Sequence, residues 1–286
     1  MRIADFSLLF MKYQGIYFMK KTLIALAVAA GTVMSVSGAA NAYTPSFSNG
    51  DISLGGTVST PVQAGLYEGK VGTLVGLDAT IPVGQTSATI TAPTESGLLA
   101  LRTVQGGFDS SASDKIANIT FDGKELLAAA SGSAFSGGSI EMTLEARNAE
   151  GNRIGDIVFP MQVSGVSVIV DNTDASAIGE SLYADSNAAV FYGGLPKTKQ
   201  GAVQNYTDAI GKLTGMFPDI VDNLPSVTSE GTSAAVKGFT ATGKIFNAAY
   251  AAGINSGETI TLNLDSAATS GSVDWTASMP VVVTYK

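Results

Sequence analysis

The sequence predicts an all-β protein, and two features indicate this class. Alternation of apolar and polar residues dominates the chain. In Ser139 to Arg147, for example, Ile140 and Met142 fall on one face and Glu141 on the other. The chain also contains 33 glycines among its 286 residues, which is typical of short strands joined by many turns. The spacing of the alternating segments predicts a β-sandwich.

The strands follow one another along most of the chain. They are predicted at Thr86 to Thr91, Leu98 to Gln105, Ile116 to Phe121, Ser139 to Arg147, Arg153 to Ser164, Val166 to Val170, Glu258 to Leu264 and Val281 to Tyr285. Between the fourth and fifth, the segment NAEGN predicts a tight turn in which Gly151 takes positive φ, so these two strands form a hairpin.

Two segments interrupt the strand pattern and predict a small helical insertion. SLYADSNAAVFYGGL, residues 181–195, reads as a helical turn followed by an apolar strand. Beyond it, apolar side chains recur at steps of three and four residues, which predicts one buried face of a helix that Pro218 ends or kinks. That face consists of Val203, Tyr206, Ile210, Leu213 and Phe217.

The last predicted strand raises the question of its partner. Three consecutive valines, Val281 to Val283, suggest burial on both faces. An exposed apolar edge of this kind aggregates unless another strand covers it. The segment near residue 50 has the alternation that a strand donated by a second copy of the chain would need. Its donor positions are Ile52, Leu54, Gly56 and Val58. Repeated head to tail, such a contact produces a filament.

The first 42 residues predict export. From Met19 the chain has two lysines, an apolar run and the small-residue pattern Ala40 to Ala42, which together indicate a secretory signal peptide cleaved between Ala42 and Tyr43. Residues 1–18 precede an otherwise complete signal, so we expect Met19 to be the true start. The whole chain carries a net charge of −8, which argues against nucleic-acid binding.

Composition restricts the possible chemistry. The chain has no cysteine and no histidine, so thiol nucleophiles, imidazole bases and the commonest zinc ligands are excluded. A secreted carbohydrate-active enzyme with paired carboxylates remains as an alternative. Its candidate pairs are Asp171 with Asp174, and Asp219 with Asp222, which could share a helical face. No recognisable catalytic motif accompanies them, and we predict no catalytic residue.

The chain resembles the major fimbrial subunits of the chaperone/usher class, specifically the FaeG-like adhesive pilins of enteric bacteria. The similarity is carried by the leader MKKTLIALAVAA and by DISLGG, NAEGNRIG, SLYADSNAAVFYGGL, AAYAAGINSGETI and the closing VVVTYK. FYGGL (Phe191 to Leu195) and the tyrosine of the last strand are its most specific parts.

The resemblance implies an incomplete immunoglobulin-like sandwich that a donor strand completes. A periplasmic chaperone would first lend a strand to the groove beside Val281, Val283 and Tyr285, and would hold the carboxylate of Lys286. At the outer-membrane usher, the N-terminal segment of the next identical subunit would replace that strand. The implied destination is the cell surface, with no cofactor and no metal.

The resemblance also implies that the shaft subunit binds a host glycoconjugate receptor through its insertion. The candidate contact residues are Phe191, Tyr192, Lys197 and Tyr206, because aromatic faces and polar groups suit sugar rings. The alternative is a purely structural shaft pilin whose adhesion resides on another subunit. The expected organisation is residues 1–42 as upstream segment and signal peptide, 43–60 as donor-strand extension, and 61–286 as pilin domain with an insertion around 172–235.

Overall fold

The computed structural model describes residues 44–45, 49–54, 65–130, 134–269 and 272–286, with side chains from residue 65 onward. The predicted signal peptide, its cleavage point between Ala42 and Tyr43, and the donor positions Gly56 and Val58 lie outside these ranges. No helix within the described ranges has the length and apolar character needed to cross a membrane.

Strands account for most of the ordered elements. They are β1 (Thr44–Pro45), β2 (Asn49–Leu54), β3 (Tyr67–Val71), β4 (Ser87–Thr91), β5 (Ser96–Thr103), β6 (Phe108–Asp109), β7 (Ala117–Phe121), β8 (Ser139–Asn148), β9 (Arg153–Asp171), β10 (Ala177–Ser181), β11 (Ser229–Glu230), β12 (Lys244–Ile254), β13 (Thr259–Leu264) and β14 (Trp275–Tyr285). The α-helices are α1 (Leu126–Ala129) and α2 (Tyr206–Met216), and Lys199–Gly201 forms a 3-10 turn. The prediction of an all-β chain with a small helical insertion is confirmed.

Strand β9 organises the sheet. Its 19 residues pair with β8 and β13 in the first half and with β12 and β10 in the second. The path of hydrogen-bonded neighbours runs β1, β3, β5, β12, β9, β8, β14, β2. The sequence predicted β9 as two separate strands, because polar Ser164 and small Gly165 interrupt its apolar pattern. The structure joins them, and the turn before β9 forms as predicted, with Gly151 at φ 82°.

The main hydrophobic core lies between the sheet layers and contains an aromatic cluster. Tyr67, Phe191 and Tyr250 are each 0% exposed. The Tyr67 ring meets Phe108 and Phe191 edge-on, at centroid distances of 5.9 and 6.1 Å. Edge-to-face contacts of this kind stabilise a core beyond the area that they bury. With no cysteine in the chain, this packing and the strand pairing hold the fold together.

Helix α2 creates a second core on the opposite face of the sheet. Tyr206, Ala209, Leu213 and Met216 form its buried stripe. The predicted face is confirmed at Tyr206 and Leu213, whereas Ile210 is only partly buried, and Val203 and Phe217 flank the helix. The helix ends at Met216, one residue before the Phe217 cap and two before Pro218, as expected from proline's missing N–H. Its seat on the sheet is made largely of small side chains, namely Ala100, Val166, Val168, Ala249 and Ala251.

Two local predictions are wrong. Strand β14 does not bury both faces: Ala277, Met279, Val281 and Val283 are buried, whereas Val282 is 39% exposed. It is an ordinary alternating strand, longer than its valine run indicated. Residues 181–195 form neither a helical turn nor a long strand, but turns with isolated bridges. Their apolar side chains are buried because the loop crosses the core, which sequence periodicity does not distinguish from a strand.

Candidate functional site at the last strand

Strand β14 has neighbours on two edges over part of its length. Val281 pairs with Phe121 of β7 and with Gly50 of β2, and Val282 pairs with Thr120 and Asn49. Both pairings are antiparallel. The edge that the sequence predicted to need a partner is therefore occupied, within this one chain, by its own N-terminal segment.

The register of the β2–β14 pair defines which positions face the core. Leu54 lies opposite Ala277, Ile52 opposite Met279 and Gly50 opposite Val281. Directly opposed residues in an antiparallel pair share a face of the sheet, and Ala277, Met279 and Val281 are buried. Positions 50, 52 and 54 therefore lie on the core side. Two of the predicted donor positions, Ile52 and Leu54, belong to this set; Gly50 was missed because it follows a turn-like Ser-Asn.

The end of β14 is held by its neighbours. The Tyr285 ring stacks on Tyr67 of β3, with centroids 5.6 Å apart and planes 22° apart. Burial raises the pKa of both tyrosine hydroxyls. Lys286 continues the ladder beyond β14, because its N–H donates to the Ile116 carbonyl at 3.0 Å and its own carbonyl accepts from Ile116 at 2.9 Å. Tyr67 was not singled out by the sequence.

The FYGGL segment covers the other edge of β7. The Phe191 N–H donates to Ala117, and the Ile119 N–H donates to the Tyr192 carbonyl. Gly193 has φ +86°, and a Cβ there would lie 2.0 Å from the Ile119 carbonyl oxygen. Only glycine fits so close a backbone crossing. The motif thus supports the strand on which β14 rests.

Of the predicted receptor residues, Tyr192 and Lys197 lie together. The Lys197 ammonium is 5.3 Å from the Tyr192 ring centroid and 2.6 Å from Glu125 Oε2. The Tyr192 hydroxyl donates to Glu125 Oε1. Hydrogen bonds from Lys197 and Tyr192 lower the Glu125 pKa, and the one to Glu125 raises the pKa of Lys197. Glu125, missed by the sequence analysis, thereby fixes the orientation of both side chains.

The other two predicted receptor residues serve the cores. The Phe191 ring is fully buried, so it has no surface with which to contact a receptor in this fold. Tyr206 is 7% exposed and packs at the start of α2. Beside Tyr206 is an open groove of about 510 Å³, lined by Glu95, Gly137, Ala202, Val203, Gln204, Thr207, Asp208, Gly211 and Lys212.

The carboxylate pairs of the enzyme alternative are engaged in structural contacts. Asp171 forms an ion pair with Lys244, and its pKa is lowered first by that contact. Asp219 lies 2.6 Å from the Lys70 ammonium. Asp219 and Asp222 lie in turns after α2 and do not share a helical face, so that expectation is wrong. A general acid needs a raised pKa, whereas Asp171 and Asp174 have lowered ones.

Within the described ranges, no group of three or more carboxylate side chains is placed to hold a metal ion. Several charged side chains in this part of the chain form ion pairs near the surface, as Arg153 does with Asp156 and Asp265. The side chains that β14 directs into the core, Ala277, Met279, Val281 and Val283, are apolar. This region is therefore suited to strand pairing.

Comparisons with known proteins identify the family of the chain. A sequence model of the family described as "Fimbrial, major and minor subunit" matches residues 19–286. K88 fimbrial protein AB of Escherichia coli is 32% identical over 293 residues, covering 93% of this chain and 100% of that protein. K88 fimbrial protein AD is 30% identical over 290 residues and F41 fimbrial protein 24% over 282, both from Escherichia coli and with the same coverage. The chain belongs to this family of fimbrial subunits, and is a non-enzymatic protein that is exported to the cell surface and assembles into a fibre.

Proposed function

We propose that the subunits of this fibre join by donor-strand exchange, in which residues 43–60 of one subunit complete the sheet of the next. The observation that carries the proposal is the register of β2 on β14, with positions 50, 52 and 54 opposite buried Val281, Met279 and Ala277. The same segment presented by a neighbour would make the same main-chain bonds. Residues 61–286 would then form the acceptor domain.

The acceptor edge is built for an added strand. The core side of β14 carries the buried side chains of Ala277, Met279 and Val281. Its other edge is already paired with β7. A peptide that adds to such an edge gains affinity from main-chain hydrogen bonds and specificity from alternate side chains. We propose that a periplasmic chaperone occupies this edge before assembly, next to Val283, Tyr285 and Lys286, and that the outer-membrane usher directs the exchange.

Deletion of Tyr43 to Val58 tests the donor role. The truncated subunit, expressed with its chaperone, should form a stable one-to-one complex and no fibres, because it retains the acceptor edge and lacks the donor. The full-length subunit expressed in the same way is the control and should polymerise. Fibres from the truncated subunit, seen by electron microscopy, would contradict the proposal.

We further propose that the subunit is itself an adhesin and that Tyr192 and Lys197 contribute to binding of a host glycoconjugate. Their arrangement supports this: the Tyr192 ring, the Lys197 side chain, which is 40% exposed, and the Glu125 carboxylate meet near the surface. Sugar rings stack on aromatic faces, and their hydroxyls accept and donate hydrogen bonds. The groove beside α2 offers a second polar surface in the insertion.

A glycan array separates this role from that of a purely structural shaft pilin. Lys197→Ala and Tyr192→Ala should reduce binding of the assembled fibre about tenfold, which corresponds to loss of one good contact. Lys199→Ala, two residues away and exposed, is the matched control and should bind as the unmodified fibre does. If the unmodified fibre binds no glycan, adhesion belongs to another subunit.

A further inference from the structure

We propose that Tyr67 is a mechanical clamp, which passes tension directly from the segment before β3 to β14 and β7 when the fibre is pulled. The clamp consists of Tyr67, the Tyr285 ring on which it stacks and the Lys115 carbonyl to which its hydroxyl donates. Only the points at which force enters and leaves a subunit within the fibre depend on the donor-strand exchange proposed above.

A subunit within such a fibre is pulled at two places. One is the linker of residues 55–66, which joins the donor strand to β3 of the same chain; its pull reaches β3 at Tyr67, the first residue of that strand. The other is the neighbour's strand on β14, along Ala277 to Val282, the positions that β2 occupies in the single chain. The contacts between β3 and β14 therefore decide how the load crosses the subunit.

The hydrogen-bonded sheet alone provides only a long route for this load. Strands β5, β12, β9 and β8 lie between β3 and β14 along the path of paired neighbours. A pull transmitted along that path crosses β9 and β12, which carry Val166, Val168, Ala249 and Ala251 beneath α2. Tension on this route would therefore strain the seat of the helix.

Tyr67 provides a direct connection. Its ring stacks on Tyr285 near the end of β14, with centroids 5.6 Å apart, and its hydroxyl donates to the Lys115 carbonyl at 2.7 Å. The next residue, Ile116, exchanges two backbone hydrogen bonds with Lys286, and β7 then pairs with β14. One side chain at the start of β3 thereby contacts both β14 and the segment that enters β7.

The surroundings of Tyr67 keep this connection in place. The residue is 0% exposed, and Phe108 and Phe191 meet its ring edge-on at centroid distances of 5.9 and 6.1 Å. The ring cannot leave Tyr285 without disturbing these contacts. Water does not compete for the buried hydroxyl, and a hydrogen bond is electrostatically stronger in such an interior than in solvent. The clamp therefore resists a pull that arrives from the linker.

Single-molecule pulling on one purified subunit tests the clamp. The chain has no cysteine, so Q63C/S278C places one handle in the linker and the other on an exposed residue of β14. The rate of unfolding under force depends on the contacts that break before the barrier, which are those that carry the load.

Two substitutions in this background remove one part of the clamp each. Tyr67→Phe keeps the ring and removes the hydrogen bond to Lys115, and Tyr285→Leu removes the stacked ring. At the same force, each should unfold about tenfold faster than the unmodified chain, as expected for the loss of one good contact before the barrier.

Tyr250→Phe is the matched control. Tyr250 is also 0% exposed and its hydroxyl also donates to a backbone carbonyl, that of Gly194, but it lies in β12, away from the clamp. We expect this variant to lower the urea midpoint as Tyr67→Phe does, yet to unfold within about twofold of the unmodified rate under force. Equal acceleration by the two phenylalanine substitutions, or none by Tyr67→Phe, would overturn the clamp.

Pulling whole fibres separates the clamp from donor-strand exchange. The single-subunit experiment applies force at engineered positions, so its result does not depend on how subunits join. Fibres of the same variants should rank in the same order. A different order would mean that force enters the fibre elsewhere, which would contradict the exchange and overturn the role of the clamp in the fibre. Fibres formed by a subunit that lacks residues 43–58 would contradict the exchange alone, and the single-subunit ranking would still support the clamp.

Discussion

The Tyr285 ring of the last strand lies stacked on the Tyr67 ring of β3, with centroids 5.6 Å apart. The contact joins β3 and β14, which lie far apart along the path of hydrogen-bonded strands. The Tyr67 hydroxyl also donates to the Lys115 carbonyl at 2.7 Å, just before β7. Aromatic pairs contribute about 0.5–1.5 kcal/mol beyond the area that they bury. Tyr285 therefore helps to hold in place the end of β14, the strand whose edge we propose as the acceptor.

Replacement of Tyr285 should weaken the subunit. We expect Tyr285→Ala to lower the free energy of unfolding by about 2–4 kcal/mol, somewhat less than for a fully buried ring, since Tyr285 is only partly buried. Tyr285→Phe keeps the stacked ring and should lose less than about 1.5 kcal/mol. Urea unfolding of the two variants checks this. Equal losses would mean that the ring contact contributes nothing.

Alkaline pH should destabilise the fold. Burial raises the pKa of Tyr67, Tyr250 and Tyr285, and that of Tyr206 to about 12. The unfolded chain loses tyrosine protons near pH 10, and the folded chain keeps them to higher pH. The stabilisation is therefore complete below about pH 9 and falls as the pH rises above about 10.

Urea midpoints measured from about pH 8 to 11 test this prediction. Tyrosinate absorbance should appear together with unfolding. Tyr250→Phe removes one of the buried hydroxyls, which donates to Gly194, and should lose less stability over the same pH interval than the unmodified chain. A stability that stays constant across this interval would rule out a contribution from the buried tyrosines.

Glycine is required at position 193. Gly193→Ala should cost about 3–5 kcal/mol, because alanine disfavours φ +86° and its Cβ would overlap the Ile119 carbonyl oxygen. Gly123→Ala is the matched control, since Gly123 has φ +71° with nothing within 4 Å of the added Cβ, and should cost only about 1–2 kcal/mol. Thermal unfolding of both variants provides the comparison. Similar losses of stability in the two would contradict a special requirement for glycine next to the Ile119 carbonyl.

An ion pair fastens the segment after α2 to the sheet. The Lys70 side chain is 5% exposed and its ammonium lies 2.6 Å from Asp219 Oδ1, with the Phe217 ring 5.1 Å away. Asp219→Ala should cost about 2–3 kcal/mol, less than for a fully buried pair because Asp219 is partly solvated. Lys70→Met in the same background should recover part of this loss, because it removes the buried charge.

The exposed pair Arg147 with Glu145, at 2.8 Å, provides the control for this ion pair. Glu145→Ala should change the unfolding free energy by less than about 0.5–1 kcal/mol. Hydrogen exchange in α2 should increase in Asp219→Ala and remain unchanged in Glu145→Ala. If the two acidic substitutions cost the same, the Lys70 pair is no stronger than a surface contact.

Alternating strands were predictable from sequence, whereas strands buried on both faces were predicted less completely: β5 was found, but β12 was not. Strands β4, β7, β8 and β13 lie close to their predicted positions because one face is apolar and the other polar. Strand β12, with the run AAYAAG, was missed altogether. Its alternate residues pack into the main core and against α2, so no polar face marks the period, and alanine has low β propensity.

The candidate site at β14 was also predicted only in part from the sequence. Val281, Val283 and Tyr285 were found from the valine run and its tyrosine. Ala277 and Met279 were missed because the strand was predicted only from Val281 to Tyr285, whereas it begins at Trp275. No pattern in the sequence around Glu125 marks it as a site residue. It contacts Tyr192 and Lys197 only because the fold brings the FYGGL segment, far along the chain, next to it.

The small side chains on which α2 packs determine which positions of the helix can be substituted. Because methyl groups of Ala100, Ala249 and Ala251 set the spacing between helix and sheet, the inner side of the helix tolerates little change in volume. The outward positions Thr207, Asp208 and Gly211 touch no part of that seat. We therefore expect substitutions at these outward positions to change what the helix displays while the framework beneath it stays the same.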